Sequence, residues 1–146
     1  MNKWNRLIAA IGLVTTIVAG GPVLVERTLL DAKSAQGRSE SGELLLFDIR
    51  SSGEWRQTGV PRNAQTLTIH QEGGLEAFVK KMVAAVDGDL SRPIAVICAA
   101  GGRSRRAAAA LHEHGFAAVY DVSEGMQGSR EGPGWLERGL PLRAVE

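Results

Sequence analysis

Residues 93–115 read PIAVICAAGGRSRRAAAALHEHG. Pro93 to Cys98 is continuously apolar, the pattern of a central strand covered on both faces. From about Gly102 the period changes. Ala107, Ala108 and Leu111 share one helical face, and Gly115 follows as a C-terminal cap. A buried strand thus hands over to a helix across a short loop of small residues, and the chain's single cysteine stands at the handover.

The same alternation extends outward. LLLFDI (44–49) has no helical period and reads as a buried strand, followed by a short helix around GEWRQ (53–57) capped by Ser51 or Ser52. AQTLTIH (64–70) reads as a second strand, with Thr66, Thr68 and Ile69 β-branched. GLEAFVKKMVAAV (74–86) is an amphipathic helix with Leu75, Phe78, Val79, Met82 and Val86 on its apolar face. After 93–115 comes another strand, AAVYDV (117–122), and a Gly- and Pro-containing tail with Trp135 as an aromatic anchor. Strands and helices alternating at this spacing predict a single α/β domain with a mainly parallel central sheet flanked by helices. In such sheets ligands bind beyond the carboxyl ends of the strands, which is where Cys98 falls.

Two segments precede that domain. Lys3 and Arg6 are followed by an uncharged apolar run from Leu7 to Val25, about the length that crosses a bilayer as a helix. Residues 1–32 are expected to be an uncleaved signal anchor, with a cleaved signal peptide as the alternative. A short basic N-terminus ahead of the first apolar segment stays in the cytosol, which puts the rest of the chain on the periplasmic side of a bacterial inner membrane. Cleavage would release it into the periplasm. Residues 33–43, KSAQGRSESGE, are polar and read as a linker, so the globular domain is expected over 44–146.

Of the 146 residues, 44% are hydrophobic and 23% charged, and the net charge is +1. That balance gives no reason to propose nucleic acid as a partner. One cysteine excludes an internal disulfide, so the thiol is either core filling or a reactive group.

Its neighbours favour reactivity. A thiol attacks as the thiolate, and a helix N-terminus, with unpartnered amides and partial positive charge, favours an anion. Ala99, Ala100, Gly101 and Gly102 are small, and the glycines permit positive φ. Such a loop can curl so that its amides face one centre. Arg103 adds positive charge nearby. The segment suits a thiolate, or an anion attached to it, held among backbone donors from Ala99 to Ser104.

CAAGGRS (98–104) resembles the active-site loop of rhodanese-like sulfurtransferases, Cys-x-x-Gly-x-Arg-Ser, through Cys98, Gly101, Arg103 and Ser104. LLLFDIRSSGEW is similar to that family's strand ending in Asp-x-Arg, with Asp48, Arg50, Glu54 and Trp55 in place. GVPRNAQTLTI resembles its Gly-His-Ile-Pro-Gly-Ala segment without the histidine, and GWLERGLPL its closing segment, with Trp135, Gly139 and Pro141. The resemblance runs from about Leu44 to Leu142. It implies a two-step reaction in which Cys98 takes a sulfane sulfur from a donor such as thiosulfate, carries it as a persulfide, and passes it to a thiol or cyanide. It implies no metal and no organic cofactor. Many loops that handle thiosulfate have a cation directly after the cysteine. That place is Ala99, so the positive potential would come from Arg103, Arg105 and Arg106.

Two rivals remain. A phosphatase loop of this kind has five residues between cysteine and arginine, and here there are four. A non-catalytic sulfur-carrier or docking module fits the same family. Other residues read as structural: Asp48, with Arg50, as a brace for the active-site loop, and Trp55 and Trp135 as packing anchors. His112 and His114 lie two apart on a helix and point in different directions, a poor metal pair, and His70 stands alone.

Overall fold

The computed structural model describes residues 28–146. The apolar run 7–25 lies outside them. Among the described residues, no helix is long and apolar enough to cross a membrane.

Four strands, β1 (Leu45–Asp48), β3 (Ala64–Thr66), β4 (Ile94–Ile97) and β5 (Val119–Asp121), form a parallel sheet in the order β3-β1-β4-β5. Leu46 pairs with Ala95 and Phe47 with Val96 across the centre, and Val96 pairs with Asp121 on the other side. β2 (Val60–Pro61) and β6 (Leu142–Arg143) make a small antiparallel pair.

The side chains divide by the period of two that a strand imposes. Phe47, Ile94, Val96 and Cys98 belong to one core with Phe78, Val79 and Met82 of α3 (Gly74–Ala85) and Ala107 and Leu111 of α4 (Gly102–Glu113). Leu46, Ala95 and Ile97 belong to a second core with Trp135 of α5 (Gly134–Glu137). All four residues of β4 are buried, the double coverage that its unbroken apolar run predicts. The alanines of α4 let the helix lie close to the sheet.

One boundary differs from expectation. Residues 33–43 are no linker: Ala32–Glu40 form helix α1, capped by the Asp31 side chain on the Ser34 amide at 2.9 Å. Its stripe is two small residues, Ala32 and Ala35, both buried in the second core. A polar helix with so narrow an apolar face has the composition of a linker, and only tertiary packing distinguishes it. The domain therefore begins before Glu43, since Leu30 donates its amide to Asp121 O at 3.0 Å beside β5. The strand expected over 64–70 is also shorter. Beyond Thr66 the chain keeps contact with β1 through Leu67 N to Asp48 O and Ile69 N to Ile49 O, while departing from strand geometry.

Helix α2 (Ser52–Thr58) matches its expected start. Ser51 and Glu54 cap reciprocally, each side chain meeting the other's backbone amide.

Candidate functional site

Cys98 follows β4 directly, and its loop runs into the first turn of α4. The amide of Gly101 donates to Cys98 Sγ at 3.2 Å and that of Ser104 at 3.3 Å. These two N–H groups supply the donors expected from the whole of Ala99–Ser104. Arg103 makes no hydrogen bond to the sulfur. Its Nη1 and Nη2 clamp the Glu54 carboxylate at 2.8 and 2.7 Å, tying α4 to α2. That contact, ahead of the Ser51 amide and hydroxyl, holds the Glu54 carboxyl down at about 2. The same clamp raises Arg103 above the usual arginine value.

The loop keeps its curl because backbone fills the space around it. Gly101 has φ +92°, and a Cβ there would collide with the Ser123 carbonyl oxygen. Gly125 has φ +70°, and a Cβ there would collide with the Ala99 carbonyl. The turn after β5 also binds the loop from outside. Met126 N donates to Cys98 O and Gln127 N to Ala99 O, both at 2.9 Å. Cys98 is 1% exposed. The sulfur thus lies at the floor of the loop, with the half-exposed Ala99 and the exposed Ala100 and Gly102 outside it.

Asp48 and Arg50 are both buried and form a bidentate pair at 3.0 and 2.8 Å. Their contacts run to α2 and its exit. Arg50 donates to Thr58 Oγ1 and to Gly59 O, and Trp55 Nε1 donates to Asp48 Oδ1 at 3.1 Å. The pair braces α2, and α2 in turn presents Glu54 to Arg103. Trp55, expected as packing alone, is a hydrogen-bond donor in this network. Trp135 is buried, with Nε1 donating to Pro141 O.

Two cavities flank the loop. One, of about 240 Å³, is lined by Ala100, Gly101, Arg105, Ser123 and Arg130. The other, of about 220 Å³, is lined by His70, Gln71, Arg103 and Arg106. Arg105 and Arg106 are exposed, and each places a cation beside the loop. Two contacts were not legible as pairs in the sequence. Ser104 Oγ lies 2.6 Å from the carboxylate of buried Asp121, and Arg103 meets Glu54 from 49 residues away. Both join segments that only the sheet order brings together.

A family model for the rhodanese-like domain matches residues 31–131. The chain belongs to the rhodanese-like family. The match begins at the residue that caps α1, in agreement with the earlier domain start. The rhodanese-like fold is also that of solved structures. The polysulfide-sulfur transferase homodimer from Wolinella succinogenes is 28% identical, with a TM-score of 0.62 over 82% of this chain and 80% of that one. The crystal structure of Rv0390 from M. tuberculosis is 26% identical, with a TM-score of 0.62 over 81% of this chain and 97% of that one. Among curated relatives, an uncharacterised protein of Rickettsia prowazekii is 26% identical over 98 residues, 66% of this chain and 80% of that protein. At the level of the family, this places the chain among sulfur-transfer-related modules.

Proposed function

We propose that the chain moves a sulfane sulfur from a small donor, thiosulfate or a polysulfide, to a thiol or cyanide through a persulfide on Cys98. The observation that carries this reading is the convergence of the Gly101 and Ser104 amides on one sulfur at 3.2 and 3.3 Å. Preorganised N–H donors stabilise charge on sulfur without reorganising during the reaction. Attack by Sγ on the outer sulfur of thiosulfate forms the Cys98 S–S bond, and sulfite leaves with the electron pair. The acceptor thiol or cyanide then attacks the outer persulfide sulfur, and Cys98 leaves as thiolate. The cations of Arg105 and Arg106 in the flanking cavities suit an anionic donor. The likeness to a polysulfide-sulfur transferase supports polysulfide as a donor beside thiosulfate.

The test is intact-protein mass after incubation with thiosulfate or with polysulfide, before and after a reducing thiol. A gain of one sulfur, removed by reduction and absent in Cys98→Ser, is the expected result. Burial of the sulfur favours a second reading, a docking module without transfer, and that reading requires no gain with either donor.

Residues 7–25 are proposed to carry the domain to the periplasmic face of a bacterial inner membrane, or into the periplasm if cleaved. Protease added to spheroplasts should then degrade the domain while sparing a cytosolic control. Full protection would remove the proposal.

A further inference from the structure

The buried thiol has a route for its proton that runs away from the loop. Cys98 Sγ lies 3.5 Å from Ser104 Oγ, and Ser104 Oγ lies 2.6 Å from Asp121 Oδ1. The Ser104 hydroxyl has one hydrogen and two acceptors near it, Asp121 Oδ1 and Gly101 O at 3.2 Å. The shorter, charge-assisted contact takes that hydrogen. The hydroxyl's lone pairs are then left for the thiol, so S–H donates to Ser104 and Ser104 donates to Asp121. All three residues are buried, with Cys98 and Asp121 each 1% exposed. Beyond the loop, Asp121 lines a cavity of about 250 Å³ with Thr28, Arg105 and His112.

We propose that Asp121 is the proton acceptor for Cys98, acting through Ser104. This rests on Cys98 being the nucleophile. As Sγ attacks the donor's outer sulfur, the thiol proton moves to Ser104 Oγ and the serine's own proton moves to the Asp121 carboxylate. With thiosulfate, thiol, carboxylate and thiosulfate become persulfide anion, carboxylic acid and sulfite, and charge and atoms balance. Ser104 ends as it began, with its hydrogen now facing the sulfur. The proton returns by the same path when the persulfide is discharged and Cys98 leaves. Among the described residues, Arg103 is coupled to the sulfur and is itself paired with Glu54 and near Asp48, while Arg105 and His112 line the cavity with Asp121. None of them is altered by the test.

The test is the rate of Cys98 alkylation by iodoacetamide from pH 6 to pH 9 in the full chain, with Asp121→Asn, Ser104→Ala and the double variant, each checked by thermal melting. Each single variant should alkylate about a hundredfold more slowly at pH 6, the scale of a lost general base. The deficit should shrink toward pH 9, where hydroxide removes the proton instead. The double variant should be no slower than the slower single one, because both changes cut one path. Asp121→Asn alkylating as fast as the unaltered chain, or faster, would mean that the carboxylate only repels the thiolate, and the proposal would fall. Losses that multiply in the double variant, or that are the same at every pH, would also overturn it. Should Asp121→Asn fail to fold, the pH profile of Ser104→Ala decides alone. Iodoacetamide involves no sulfur transfer. A chain with this profile that gains no sulfur keeps the proton route and loses the sulfur-transfer reading.

Discussion

Glu54 shows how one side chain can serve two elements. Its backbone amide and carboxylate complete the capping box with Ser51, and the same carboxylate takes both prongs of Arg103. The sign of its pH dependence follows from the direction of its shift. The folded carboxyl sits near 2 against a reference of 4.5, so its contribution is present in full above about pH 4.5 and is lost as pH falls toward 2. Both partners are about a quarter exposed, 25% and 26%, which limits the contact to about 1 kcal/mol, the upper end for pairs screened by water. Glu54→Gln should therefore melt earlier than the unaltered chain at pH 7, and the two melting curves should converge near pH 2. Asp31 and Asp89 are also lowered, by bonds from Ser34 and Ser91, but they are common to both proteins and cancel. A melting difference that stays constant from pH 7 to pH 2 would show that the Glu54 charge is not the cause.

At the scale of elements, the four strands of the parallel sheet and the two long helices were legible because each carries a local pattern, while the short pair β2 and β6 was not. β4 is apolar on every residue and is buried on both faces, while α3 shows its stripe of Phe78, Val79 and Met82. The Cys98 loop was legible for a related reason: its small residues, two of them glycine, and its position before a helix are local facts. What remained hidden depends on contacts between distant segments. α1 has two small apolar residues and the composition of a connector, and its helical state is fixed by the core that receives Ala32 and Ala35. The aim of Arg103 was hidden for the same reason. An arginine one residue from a helix start can face the sulfur or a neighbouring helix, and only the placement of α2 by the Asp48–Arg50 pair decides. Asp121 reads as an ordinary strand end until the parallel order β1-β4-β5 brings it beside Ser104.

At the scale of the whole molecule, the loop around Cys98 depends on a carboxylate far from it in sequence. Glu124 is 1% exposed and belongs to the turn whose Met126 and Gln127 amides hold the carbonyls of Cys98 and Ala99. It accepts from Ala32 N at 2.6 Å, from Gly134 N at 3.3 Å and from Arg138 Nε at 2.9 Å, joining the starts of α1 and α5 to that turn. The carboxylate is stable there because helix N-termini and a guanidinium satisfy it together. Arg138→Ala removes the counter-charge that Glu124 has among the described residues and leaves a buried carboxylate on two amides. Arg138 is itself 31% exposed, so the cost should lie at about 1–3 kcal/mol, that of an under-satisfied buried group, below that of a fully buried broken pair. Urea unfolding should show a lower midpoint with an unchanged slope, since the surface exposed on unfolding is the same. Glu124→Gln combined with Arg138→Ala should recover part of that loss, because the stranded charge is gone. If the double variant is instead less stable than Arg138→Ala alone, the cost lies in the side-chain packing of Arg138 and the carboxylate is not what binds the helices to the loop.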